Sequence, residues 1–148
     1  MSFTEDTQNH ICDVRNIIEL FQRELRNRAM SHDYSKLSDE EFPVFKEVLD
    51  NSKSAKYGTP EYDAVKKKLL PALEHHYKEN RHHPEHFIDG IDGMNLVDVL
   101  EMLVDWTAAT QRHKDDNIMN SIKINAKKYH INPQLENILI NTVKDFFL

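Results

Sequence analysis

Apolar residues recur at helical spacing at both ends of this chain, and that periodicity constrains its fold more than any other feature. Ile11, Val14, Ile17, Ile18, Phe21 and Leu25 return every three or four positions near the N-terminus, and Leu135, Ile138, Leu139, Val143 and Phe146 do the same near the C-terminus. The punctuation between them is that of helices. Thr59-Pro60 and Asn132-Pro133 each pair an N-cap residue with proline at the first helical position. Asn95, followed by Asp98, opens a strongly apolar stretch to about Gln111, and a further helix is expected near Asn117–Tyr129. Ser38-Asp39-Glu40-Glu41 reads as a capping box that opens a helix to about Leu49. With three glycines and five prolines in 148 residues, helix is favoured over sheet throughout. The expectation is an all-α chain, a single compact domain over residues 1–148 with six or seven helices.

The first helix is expected to start at Thr4, with Glu5 and Asp6 in its first turn. The helix through Leu69, Leu70 and Leu73 runs towards Asn80, with a kink or restart at Pro71. The polar stretch from Asn51 to Gly58 reads as a surface loop, and Arg81 to Gly93 as a connecting or functional one.

Charge narrows the function. A net charge of −6 argues against a nucleic-acid-binding surface, but not against a small anionic substrate at a metal. Cys12 is the sole cysteine, which excludes an internal disulfide and favours a reducing compartment. No apolar run approaches the ~20 residues of a membrane span, and the N-terminus is polar and acidic, unlike a signal peptide. A cytoplasmic protein is expected.

The chemistry concentrates in three places. Ser31-His32-Asp33-Tyr34-Ser35-Lys36 sets an imidazole beside a carboxylate, a pair that divalent metals bind readily. Five of the nine histidines, His75, His76, His82, His83 and His86, fall together farther on. On the helix through Leu69 and Leu73, the positions that continue the apolar face are His76 and Asn80, which leaves His75 at the flank as an outer residue. His86 lies beyond Pro84 at the periphery. The third place is Asp105, which interrupts the apolar run Leu100–Trp106, where a buried carboxylate needs a compensating cation. The bland alternative puts Asp105 on an outer face with Asp98 and Glu101. Lys36 and Arg112 are candidates to meet a phosphate as cations. His10 can join His32 on one ion only if the chain turns between Gln22 and Met30, since ~1.5 Å per residue would otherwise hold them ~33 Å apart. That turn is expected.

In this order, His10, His32-Asp33 and Asp105 resemble the HD-domain metal-dependent phosphohydrolases. His32-Asp33-Tyr34-Ser35-Lys36 is similar to that family's His-Asp-Ile-Gly-Lys variant, with Ser35 in place of glycine, and Val104–Thr110 is similar to its Ala-Asp-x-x-Asp-Ala-Leu-Thr stretch without the second aspartate. His75-His76, Asn80-x-His82-His83-x-Glu85 and Asp105-Trp106 resemble an uncharacterised HD-like group from bacteria and their phages.

The resemblance implies an HD-like fold and one or two divalent transition metals (Mn, Fe, Co, Ni or Zn, with Mg as a further option). One ion would sit on His10, His32, Asp33 and Asp105. A second would sit on His76, His82 and His83, with Asp33 bridging and Glu85 orienting a ligating histidine. It implies hydrolysis of a small phosphorylated substrate, a nucleotide or similar ester, by a metal-activated water, with Asp33 and Lys36 catalytic and Lys36 and Arg112 binding substrate. Two alternatives stay open: a di-iron oxygenase of the HD type, and a non-catalytic nucleotide-binding domain. The region after Asn117 either completes the pocket or forms a dimer face.

Overall fold

The computed structural model describes residues 2–51, 60–111 and 117–147. Six α-helices account for most of them: α1 (Phe3–Ser31), α2 (Phe42–Asn51), α3 (Pro60–Glu79), α4 (Leu96–Thr110), α5 (Ile118–Lys128) and α6 (Pro133–Phe146). Short 3₁₀ turns lie at Tyr34–Leu37, Pro84–His86 and Gly90–Gly93. No β-strand occurs among the described residues, and the fold is all-α, as the periodicity implied. No described helix is long and apolar enough to cross a membrane. The chain divides into two units, Met1–His32 and Asp33–Leu148.

The first unit is one helix. Ser2, not Thr4, caps it: the Ser2 hydroxyl accepts from the Glu5 N–H, and the Glu5 carboxylate accepts from the Ser2 N–H, at 3.3 and 2.8 Å. The helix then runs unbroken to Ser31, so the turn expected between Gln22 and Met30 is absent. Nothing in that stretch forces one, since it holds neither Gly nor Pro. His10 and His32, the C-cap, therefore stand ~33 Å apart on one rod and cannot ligate the same ion. The apolar stripe Ile11, Val14, Ile17, Ile18 and Phe21 is exposed, because a single helix offers it nothing to pack against within its own unit.

In the second unit, α4, α5 and α6 enclose a core of Leu103, Ile118, Ile122, Ala126, Ile131, Leu139 and Val143. Burying each large aliphatic side chain contributes roughly 1.5–3 kcal/mol. The caps on these helices are those the sequence announces. The Asn95 side chain accepts from the Val97 and Asp98 N–H groups, while Asp98 reaches back to the Asn95 N–H; Asn117 and Asn132 cap α5 and α6. His130 takes a left-handed φ of 54° after α5, letting the Ile131 N–H close onto the Ala126 carbonyl at 2.9 Å. Helix α3 continues through Pro71 without a restart.

Helix α2 departs from expectation. It opens at Phe42, and although the Ser38 hydroxyl accepts from the Glu41 N–H, the Glu41 side chain turns inward instead of completing a capping box. Of the loop expected from Asn51 to Gly58, Asn51 is instead the last residue of α2; the rest of that stretch, the Thr59 cap and Arg112 lie outside the described residues.

Candidate metal centre

Three segments of the second unit bring their chemistry to one point. Helix α3 buries Ala72 and His76 on its inner face, and Asn80, the residue after its end, continues that spacing. The loop after α3 carries His82 and His83. It is clamped to the start of α4 by Arg81, whose guanidinium donates to both oxygens of the fully buried Asp98, at 3.1 and 2.9 Å, and lies 4.9 Å over the Phe87 ring. Asp33 enters from the third segment with a left-handed φ of 56°, a conformation that aspartate tolerates better than most side chains.

Asp33 is the hub. Its Oδ1 lies 3.2 Å from His76 Nε2 and 3.5 Å from His82 Nε2, while its Oδ2 accepts from Lys36 Nζ at 2.5 Å. His83 Nε2 lies 3.0 Å from His76 Nε2. Ligand atoms of Asp33, His76, His82 and His83 all fall within 4.8 Å of one another, and an Asp105 carboxylate oxygen comes within the same distance of one from Asp33.

The far sides of two of these imidazoles are held by carboxylates. His76 Nδ1 lies 2.9 Å from Glu41 Oε2, with the Ser35 hydroxyl and the Asn80 amide nitrogen each at 3.1 Å, and His82 Nδ1 lies 3.2 Å from Glu101 Oε1. An ionised carboxylate can only accept, which favours a proton on each Nδ1, and both Nε2 atoms are turned towards Asp33. Asn80 donates to the Ser35 hydroxyl at 2.7 Å and to the His76 carbonyl at 2.8 Å, which fixes the surroundings of the same ring.

Burial alone would raise the Asp33 carboxyl, but the imidazoles of His76 and His82 and the Lys36 ammonium outweigh it and hold the group well below the usual carboxylate range. Burial lowers His83 to about 4, helped by the neighbouring His82 and His76, so this ring is neutral and keeps a lone pair near pH 7. Glu41, raised by burial, is lowered on balance by hydrogen bonds from His75 and Ser35 and by His76.

Of the residues singled out from sequence, the second unit gathers Asp33, Lys36, His76, His82, His83 and Asp105. His75 lies beside them with its Nδ1 on Glu41 Oε1 at 2.8 Å. His32 is the last residue of the first unit, one peptide bond before Asp33. His86 is peripheral, its Nδ1 on the Tyr77 carbonyl at 2.9 Å. His10 is excluded from His32's ion by the unbroken α1. Glu85 does not orient a ligating histidine through a hydrogen bond: it accepts from the Tyr129 hydroxyl at 2.9 Å and Lys128 at 3.2 Å, because its turn faces the end of α5. The carboxylates that face these imidazoles, Glu41 and Glu101, are read from the sequence as a helix cap and an outer-face residue. Only Glu101 had a signal there. Asp98, Glu101 and Asp105 stand at i, i+3 and i+7, one face of α4, and that face is turned inward, with Asp98 buried outright.

The donor set suits a divalent transition metal: neutral imidazoles and a carboxylate, with outer hydrogen bonds that fix ring orientation. No curated protein and no solved structure matches the chain. Over residues 1–145 it matches the model of the family of unknown function DUF5662, and the chain belongs to that family.

Proposed function

We propose that this chain is a metal-dependent hydrolase of small phosphate esters, with a nucleotide as the leading substrate class. One observation carries the metal half of this reading. Two buried imidazoles, His76 and His82, have their outer nitrogens committed to carboxylates and aim their inner nitrogens at the same oxygen of Asp33. Lone pairs converging on an anionic oxygen repel one another unless a cation lies among them. Asp33, His76, His82 and His83 would hold that ion, and Asp105, facing Asp33, extends the set towards a second.

A divalent cation held there supplies an activated water and draws charge off phosphoryl oxygens. The chain's own residues do the rest. Asp33 joins the histidines to the cationic rim, where the part-exposed Lys36 ammonium offers a point charge to a phosphate oxygen. His82 and His83 are held in place by the Arg81–Asp98 clamp, so the donor atoms need little rearrangement on loading. The order His32-Asp33, paired histidines and Asp105 resembles that of HD-domain phosphohydrolases, which favours phosphate chemistry over other uses of the same ligands.

The test is a panel of nucleotides and simple phosphate esters offered to the full chain with Mn²⁺, Co²⁺, Ni²⁺ or Mg²⁺. Release of phosphate by wild type, lost in Asp33→Asn together with bound metal, is expected. Iron content with oxygen uptake and no phosphate release would replace the hydrolase with an oxygenase. Tight nucleotide binding without turnover under every metal would reduce the site to a sensor.

A further inference from the structure

We propose that Glu41 is the positioning residue of this centre, one buried carboxylate that sets the tautomer of two adjacent imidazoles and so decides which nitrogen His76 presents. The inference rests on the metal reading for its consequence, but not for its geometry.

Glu41 is completely buried, one of the largest fully enclosed side chains among the described residues. Its two oxygens are divided between neighbours on α3: Oε1 accepts from His75 Nδ1 at 2.8 Å and Oε2 from His76 Nδ1 at 2.9 Å. A carboxylate in such a position needs compensation. The two imidazole N–H groups supply it, and so does the start of α2, because the Glu41 carbonyl accepts the first helical bond, from the Phe45 N–H at 3.0 Å, and the side chain sits at the positive end of that helix. The backbone places Glu41 there firmly: the Ser38 hydroxyl takes its N–H, and the chain is committed to helix one residue later.

Neutral imidazole carries one proton, and unbound histidine distributes it between both nitrogens. With Glu41 accepting at Nδ1, the proton of His76 is kept on the outer side and the Nε2 lone pair is kept on the inner side, 3.2 Å from Asp33 and 3.0 Å from His83 Nε2. His75, only part-buried, takes the second oxygen and thereby prevents Glu41 from rotating away from His76. A glutamine cannot replace this arrangement. Its amide offers one acceptor oxygen and one NH₂ donor, so it can satisfy one Nδ1–H while confronting the other with a donor.

The experiment reads the tautomers directly. Long-range ¹H–¹⁵N correlation spectra of the metal-free full chain, with His75→Gln and His76→Gln used for assignment, should show His76 protonated at Nδ1. In Glu41→Gln the Nε2-protonated form of His75 or His76 should appear, and Co²⁺ should bind about 10–100-fold more weakly by calorimetry, with an altered visible Co²⁺ spectrum. Glu41→Asp, which restores two acceptor oxygens, should recover part of the affinity. A wild-type His76 carrying its proton on Nε2 overturns the proposal without any variant, as does a Glu41→Gln protein with unchanged tautomers and unchanged Co²⁺ affinity. If wild type takes up no Co²⁺ at all, the metal reading falls, while the spectra still decide whether Glu41 governs His76.

Discussion

Glu101 Oε1 lies 3.2 Å from Nδ1 of His82, so a carboxylate on α4 holds a buried ring that belongs to the loop after α3. The bond joins the two elements across the centre and points His82 Nε2 at Asp33. Glu101→Gln keeps an acceptor but loses the charge, and metal affinity is expected to drop about tenfold; Glu101→Ala loses both, with a fall of about a hundredfold. Competition against a chromophoric chelator measures both. Equal affinities in all three proteins would mean that Glu101 is not needed to aim His82.

Metal should also stabilise the fold. An ion that binds only the folded state contributes about 2.7 kcal/mol when its free concentration is one hundred times Kd. Chelator-treated wild type should therefore melt lower than Co²⁺-loaded protein. Asp33→Asn is the informative control, because asparagine also accepts the left-handed backbone found at Asp33 while it removes the charge and replaces one acceptor oxygen by an NH₂ group. In that variant the difference between loaded and stripped protein should vanish.

Arg81→Ala removes two guanidinium donors from the buried Asp98 carboxylate, which keeps the Asn95 N–H at 3.0 Å. A cost of about 2–3 kcal/mol is expected, since a buried carboxylate loses its cation. The same variant should loosen His82 and His83, so that metal affinity falls along with stability. Urea unfolding of the stripped protein separates the two effects: a loss of affinity alone, with unchanged stability, would contradict the clamp.

Tyr129 gives an alkaline prediction. Burial, the Glu85 charge, its own hydrogen bond to Glu85 and the nearby Tyr77 push the phenol above its ordinary value of 10.0. A folded value above the unfolded one means that this contribution is complete below pH 10 and is lost as pH rises through the folded value. Wild type should thus lose stability above about pH 10 more steeply than Tyr129→Phe, measured by denaturant unfolding at each pH. Parallel pH slopes would show that the phenol titrates normally.

Helices are legible in this chain because their signals are local. Asn95 with Asp98 and Asn132 with Pro133 fix the starts of α4 and α6 within a few residues, and the stripes at Leu103 and Leu139 point to the core that forms. His76, on the inner face of α3, and Asn80, just past its end, could be placed from spacing alone. What was not legible depends on long-range partners. Glu41 has the sequence context of a capping box, and only the arrival of α3 gives its side chain a better use, two imidazole donors in place of one backbone N–H. His10 fails for the converse reason: a ligand set read as an ordered list demanded a turn for which α1 has no breaker. Glu85 lay close to the histidines in sequence, yet its turn faces Tyr129 and Lys128.

The most direct test of the metal centre is a crystal structure of the Co²⁺-loaded full chain with anomalous scattering collected at the cobalt edge. The expected result is an anomalous peak within coordination distance of Asp33, His76, His82 and His83, with Nε2 as the ligating atom of His76 and His82. A peak elsewhere, or none at these four side chains under saturating Co²⁺, would contradict it.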